Sequence, residues 1–181
     1  MDLKHMGCHA VEGLECSSCK ISSCCHPYMR TPVSYEDAHR KKFNLDYLTE
    51  DKKAGMYFLN RFADGTCIYF DKVFMSCRLE PEYRPTSCLV FPVRLKEQAE
   101  FWHRWDNDNY QTRVILNMNC PSAYPMAQAF IKGDQSVIKY IKTAIELFEE
   151  DNEYTLFVLK NTVNFKCTLD VGSLREWRED I

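Results

Sequence analysis

The chain has 181 residues, 45% of them hydrophobic, and carries a formal net charge of -3. A length and apolar content of this order bury a core unaided, so the ten cysteines are not needed to rescue a tiny fold. The acidic balance speaks against an electrostatically driven nucleic-acid binder, and no apolar run approaches the ~18 residues of a membrane span.

In chain order, the opening "MDLKHMGCHAVEGLECSSCK" contains no apolar core of signal-peptide length, which predicts a cytoplasmic protein. Thiols are kept reduced in that compartment, where a cysteine-rich chain binds metal or does thiol chemistry more often than it builds disulfides. The stretch "ECSSCKISSCCHP" then places Cys16, Cys19, Cys24 and Cys25 among Ser, Lys and His. Core cysteines sit in apolar patterns, a role that suits Cys8 and Cys167 better. The spacing of Cys16 and Cys19 lets a tight turn aim two thiolates at one ion. Adjacent side chains diverge in an extended chain, so Cys24 and Cys25 should serve different metal atoms, or only one of them should be a ligand. His26 fits a supporting ring N–H donor better than a ligand.

The segment "TPVSYEDAHRKKF" predicts a short helix capped by Ser34, with Asp37 returning the bond in a capping box. In "GTCIYFDKVFMSCRLEPEYRPTSCLVFPV", prolines 81, 85 and 92 interrupt any long helix, leaving loops and a short hairpin that carry Cys67, Cys77 and Cys88. "FWHRWDNDNYQTRVILNMNCP" offers packing tryptophans at 102 and 105, a turn at "DNDN" and a strand over 114–118 that delivers Cys120. Farther on, Val137, Ile138, Ile141, Ala144, Ile145 and Phe148 mark one face of an amphipathic helix capped by Asp134. "YTLFVLK" reads equally as a strand or a buried helical turn. The acids Glu146, Glu149, Glu150, Asp151 and Glu153 read as a solvated helix end.

Nine of the ten cysteines precede residue 121, and eight of them, Cys16, Cys19, Cys24, Cys25, Cys67, Cys77, Cys88 and Cys120, form the candidate ligand set. Four thiolates on one centre leave net negative charge, which Lys20, Arg30, Arg84 and Arg94 are placed to offset; Lys96 reads as ordinary surface charge. The glycines are scattered singly, so neither a dinucleotide loop nor a Walker loop is present.

Taken together, "CSSCKISSCC", "DGTCIYFDK", "RPTSCLVFP" and "NCP" resemble the YkgJ-type cysteine-cluster family, described as a zinc- or iron-chelating domain, over roughly residues 14 to 121. The four-residue gap between Cys19 and Cys24 and the long link from Cys77 to Arg84 depart from its usual spacing. The resemblance implies that the eight cysteines are ligands and that Arg84, Pro85, Phe91 and Pro92 are signature residues. The cysteine region is also similar to that of flagellin lysine methylases, which implies an iron-sulfur cluster and a redox or methyltransferase-like, protein-modifying role.

Structural zinc sites usually pair two C-x2-C knuckles, and this chain has one. Isolated cysteines and the Cys120-Pro121 step favour an iron-sulfur cluster over zinc. The alternatives are a zinc-stapled, non-enzymatic binding or scaffolding module, and a metal store. Metal ions are therefore the expected partners, with a protein partner or substrate and neither nucleic acid nor membrane. The expected architecture is one α+β domain over 1–181, with short helices, little sheet and metal-stapled loops over 14–121. A helical part over 122–181 carries the amphipathic helix.

Overall fold

The computed structural model describes residue 25 and residues 30–97, 112–118, 120, 122–161 and 168–179. Among these the expected helices are joined by more sheet than anticipated, in three small antiparallel sheets that make the fold α+β. The first sheet holds β1 (Pro32–Val33), β2 (Leu48–Asp51) and β3 (Met56–Leu59) in the order β1-β3-β2. Its β2–β3 hairpin pairs Leu48 with Leu59 and Asp51 with Met56. At the turn, Asp51 accepts from the Ala54 amide at 3.1 Å and Gly55 takes φ 66°, a left-handed conformation that a side chain would strain. Between β1 and β2 lies α1 (Tyr35–Arg40).

Ser34 caps α1 as expected, its Oγ accepting from the Asp37 amide at 2.9 Å. The reciprocal half of the capping box is replaced by a longer-range contact. The Asp37 carboxylate, 1% exposed, accepts from the Thr86 amide at 2.8 Å and pairs with Arg40 at 2.9 Å and Lys41 at 3.1 Å. A carboxylate this deeply buried is held by charge and hydrogen bonds together, and here they tie α1 to a distant segment.

The short hairpin expected in the second cysteine segment is formed by β4 (Phe70–Asp71) and β5 (Ser76–Cys77). Asp71 closes its tip by accepting from the Val73 amide at 2.8 Å and the Phe74 amide at 3.1 Å. The prolines then confine helix to one turn, α2 (Thr86–Leu89), bounded by Pro85 and by a cis Phe91–Pro92 bond.

The third sheet orders β6 (Val93–Glu97), β7 (Thr112–Asn117) and β8 (Thr168–Ser173) as β6-β7-β8. Strand β7 covers most of the strand expected there. Val93, Leu95, Val114 and Leu116 are fully buried against α3 (Ala123–Ile131), α4 (Gln135–Glu150) and α5 (Asn152–Asn161). The part beyond residue 121 is thus not purely helical: β8 returns to pair with β7, and α6 (Leu174–Glu179) follows it.

Helix α4 follows its apolar pattern, with Asp134 accepting from the Ser136 and Val137 amides at 2.8 and 3.2 Å. "YTLFVLK" is helical, within α5. Of the acidic cluster read as a solvated helix end, Glu146, Glu149, Glu150 and Glu153 are exposed, and the exception is Asp151 at the start of this helix. Asp151 is 2% exposed, accepts from the Tyr154 amide and from the Ser34 hydroxyl at 3.0 Å each, and turns the chain from α4 into α5. Glu153 accepts from the Tyr35 and Glu36 amides at 2.8 and 3.3 Å. Both acids fasten α1 to the helical layer. The DNDN turn, Trp102, Trp105, Cys8 and Cys167 lie outside the described residues. No described helix is long and apolar enough to cross a membrane.

Candidate thiol site

Of the eight candidate ligands, Cys25, Cys67, Cys77, Cys88 and Cys120 are described, all as thiols; Cys16, Cys19 and Cys24 lie outside the described residues, as does His26. Cys25 and Cys67 come together although an α-helix and three strands separate them in sequence. The Cys67 amide donates to the Cys25 carbonyl at 3.1 Å, and the two thiols are within hydrogen-bonding contact. That contact lowers the Cys67 thiol pKa below its ordinary value; burial works against it, while the Tyr69 amide and the Arg61 charge reinforce it.

Arg61 holds this corner. Its Nη1 donates to the Gly65 carbonyl at 2.7 Å and the Cys25 carbonyl at 3.4 Å, and Arg61 bridges to Cys67 across the backbone. The loop inside that bridge closes through "DGT": Asp64 accepts from the Thr66 amide and hydroxyl at 3.0 and 2.7 Å, and Gly65 takes φ 81°. Arg61 is not among the arginines that the sequence singles out to offset thiolate charge. The available signal was a cation six residues before Cys67 with a tight Gly turn between them, which folds the guanidinium back toward the thiol.

Cys77 sits opposite Phe70 in the β4–β5 ladder and belongs to the same region. Tyr69 carries the link, since its phenol pKa is raised first by burial, then by Tyr47 and by the Cys67 and Cys77 thiols. Cys25, Tyr69, Cys67 and Phe70 pack with Val33, Ala38, Leu48 and Leu59 in an apolar cluster separate from the main one.

The remaining two cysteines sit elsewhere. Cys88, half-buried in α2, lies close enough to Lys41 and Tyr154 to act on both electrostatically. Cys120 is 3% exposed in the main core, its amide donating to the Asn117 carbonyl at 3.1 Å just past β7. Among the described residues, no three His, Cys, Asp or Glu side chains converge as they would around a metal ion.

Of the cations expected to offset thiolate charge, Lys20 lies outside the described residues and the three arginines are occupied locally. Arg30 lies 3.8 Å from the Phe58 ring centroid and 3.3 Å from Asp51; the Arg84 Nε donates to the Leu79 carbonyl at 3.0 Å. Arg94 is buried beside Tyr154, 5.1 Å from the Phe91 ring centroid. Chemically, the Cys25–Cys67 corner offers two soft donors, one of them biased toward thiolate, beside a fixed cation. Two such donors could serve as a pair of ligands to a metal ion. Compared with known protein families, curated proteins and solved structures, the chain matches none of them.

Proposed function

We propose that this chain chelates a metal centre through cysteine thiolates, as an iron-sulfur cluster in preference to zinc. The observation that carries the reading is the contact between the Cys25 and Cys67 thiols, which brings one member of the first cysteine run against the second. Cys25 is fixed at one end of that run, so Cys16, Cys19 and Cys24 have only a short tether to the same corner. Cys77, on the far strand of the hairpin, is the next donor to be added. The YkgJ-like pattern supports extending the set to Cys88 and Cys120, which would then belong to a second centre or a larger one.

Within this reading Cys25, Cys67 and Cys77 bind, Arg61 offsets thiolate charge, and the apolar packing of Phe70 and Leu48 excludes water. A bound iron-sulfur cluster would supply one-electron chemistry, with a protein-modifying role the activity that the methylase-like pattern suggests. The test is elemental and sulfide analysis of anaerobically purified protein, with absorbance near ~400 nm. Iron with acid-labile sulfide, lost in Cys67→Ser, is expected. Stoichiometric zinc in a colourless protein would replace the cluster with the zinc-stapled module, and metal-free, folded protein would overturn both.

A further inference from the structure

Tyr69 also lines a cavity of about 670 Å³, a size ordinary for small-molecule sites, whose other walls include Arg40, Lys41, Lys42, Phe43, Glu82 and Tyr83. Three consecutive cations face three aromatic rings, with Glu82 the sole carboxylate in the lining. The charges are unequally committed. Lys41 is turned inward, with 9% of its side chain exposed, donating to Asp37 and to the Arg84 carbonyl. Arg40 divides itself between Asp37 at 2.9 Å and Glu150 at 3.6 Å, yet remains 41% exposed with further N–H groups to offer. Lys42 is exposed and enters none of the ion pairs formed among the described residues.

The backbone at Lys42 is the second observation. Helix α1 ends with the Phe43 amide donating back to the Ala38 carbonyl at 3.0 Å, the closure that puts the preceding residue in the left-handed region. Lys42 occupies it at φ 53°, where glycine is the usual residue and a side chain is strained. A long cation thus stands at the cavity's edge in a position that local structure alone would give to glycine.

We propose that this cavity binds an aromatic anion with a hydrogen-bond-donating group at its other end. The anionic group meets Lys42 and the outer face of Arg40, the ring packs on Tyr83 and Phe43, and Glu82 accepts from the donor end. Tyr83 leaves 54% of its surface open to such a ring. Phosphate and carboxylate anions share this chemistry, so adenosine 5′-monophosphate and 4-aminobenzoate serve as probes, with adenosine and inorganic phosphate as the divided halves. The inference does not depend on the metal, whose content is measured on the same samples.

The experiment is calorimetric titration of each probe into the full chain, purified anaerobically, and into Lys42→Gly and Tyr83→Ala. One or both aromatic anions should bind saturably and at least tenfold more tightly than adenosine or phosphate, and which of them does so identifies the anionic group. Lys42→Gly should weaken that binding about tenfold, leave adenosine unchanged and raise Tm; Tyr83→Ala should weaken aromatic anion and adenosine alike. The proposal is overturned if neither anion binds, if phosphate alone binds as tightly, or if Lys42→Gly retains full affinity. Because Lys42→Gly relieves strain, a loss of binding in that variant cannot be ascribed to unfolding.

Discussion

The Asp37 carboxylate joins α1 to the start of α2: it accepts from the buried Thr86 amide and pairs with the buried Lys41 ammonium and the part-exposed Arg40 guanidinium. Burial lowers the Lys41 pKa from its ordinary value, and Asp37 is the main group opposing that shift. Removing the acid therefore strands a buried cation and an amide together. Asp37→Ala should cost about 3–5 kcal/mol in urea unfolding, the range for breaking one side of a buried pair. A loss under about 1 kcal/mol would show that water reaches this cluster.

Asp151 shows the opposite titration behaviour. Burial raises its carboxyl pKa above the ordinary 3.8, with the nearby Asp37 charge adding to it against the Tyr154 and Ser34 hydrogen bonds. The folded protein thus keeps this proton where the unfolded chain has lost it. The stability so contributed is complete below the unfolded pKa and is lost as pH rises through the folded one. Asp151→Asn, which cannot ionise, should therefore gain on the wild type as pH goes from about 3.5 to about 7, read from urea midpoints. A gap that stays constant over that interval would remove the buried charge from the account.

At the scale of elements, what could be read from sequence follows the range of the forces involved. The period of Val137, Ile141, Ala144 and Phe148 made α4 visible because one face of a 3.6-residue helix must be apolar to pack. "YTLFVLK" was undecidable, since a short apolar run fits either structure. What settles it is Asp151, whose partners are the local Tyr154 amide and the distant Ser34 hydroxyl. The thiol corner divides the same way: the cysteines, the "DGT" turn and the local Arg61–Gly65 contact follow from nearby sequence, whereas the reach of Arg61 to the Cys25 carbonyl appears only once the chain has folded back.

Two element-level consequences can be measured. Lys42→Gly should stabilise α1 by about 1 kcal/mol by placing glycine at its left-handed end. Tyr140 of α4 donates its hydroxyl toward the Leu89 and Phe91 carbonyls, at 3.2 and 2.9 Å, and so steadies the irregular chain after α2. Tyr140→Phe keeps the ring and leaves those buried acceptors short of a donor. It should cost about 1–3 kcal/mol.

For the molecule as a whole, the two apolar clusters determine what metal removal should do. The main cluster draws on β3, β6, β7 and every helix from α2 to α6, with the sheet closed by β8, and buries large apolar side chains throughout. The smaller one rests on six buried residues, one of them Cys67, with Cys25 packed at its edge. The two meet in β3, where Met56 and Phe58 face the main core and Leu59 faces the thiol corner. Metal bound at that corner would therefore add folding energy where burial supplies least. Chelation of anaerobic protein should leave far-ultraviolet circular dichroism mostly intact and keep α4 and β7 amides protected from hydrogen exchange. Amides around Cys67 and the β4–β5 hairpin should lose protection by a factor of ten or more. Uniform loss of protection throughout the chain would mean that the two clusters fold as one unit. No change at the hairpin after confirmed metal loss would place the metal away from Cys67.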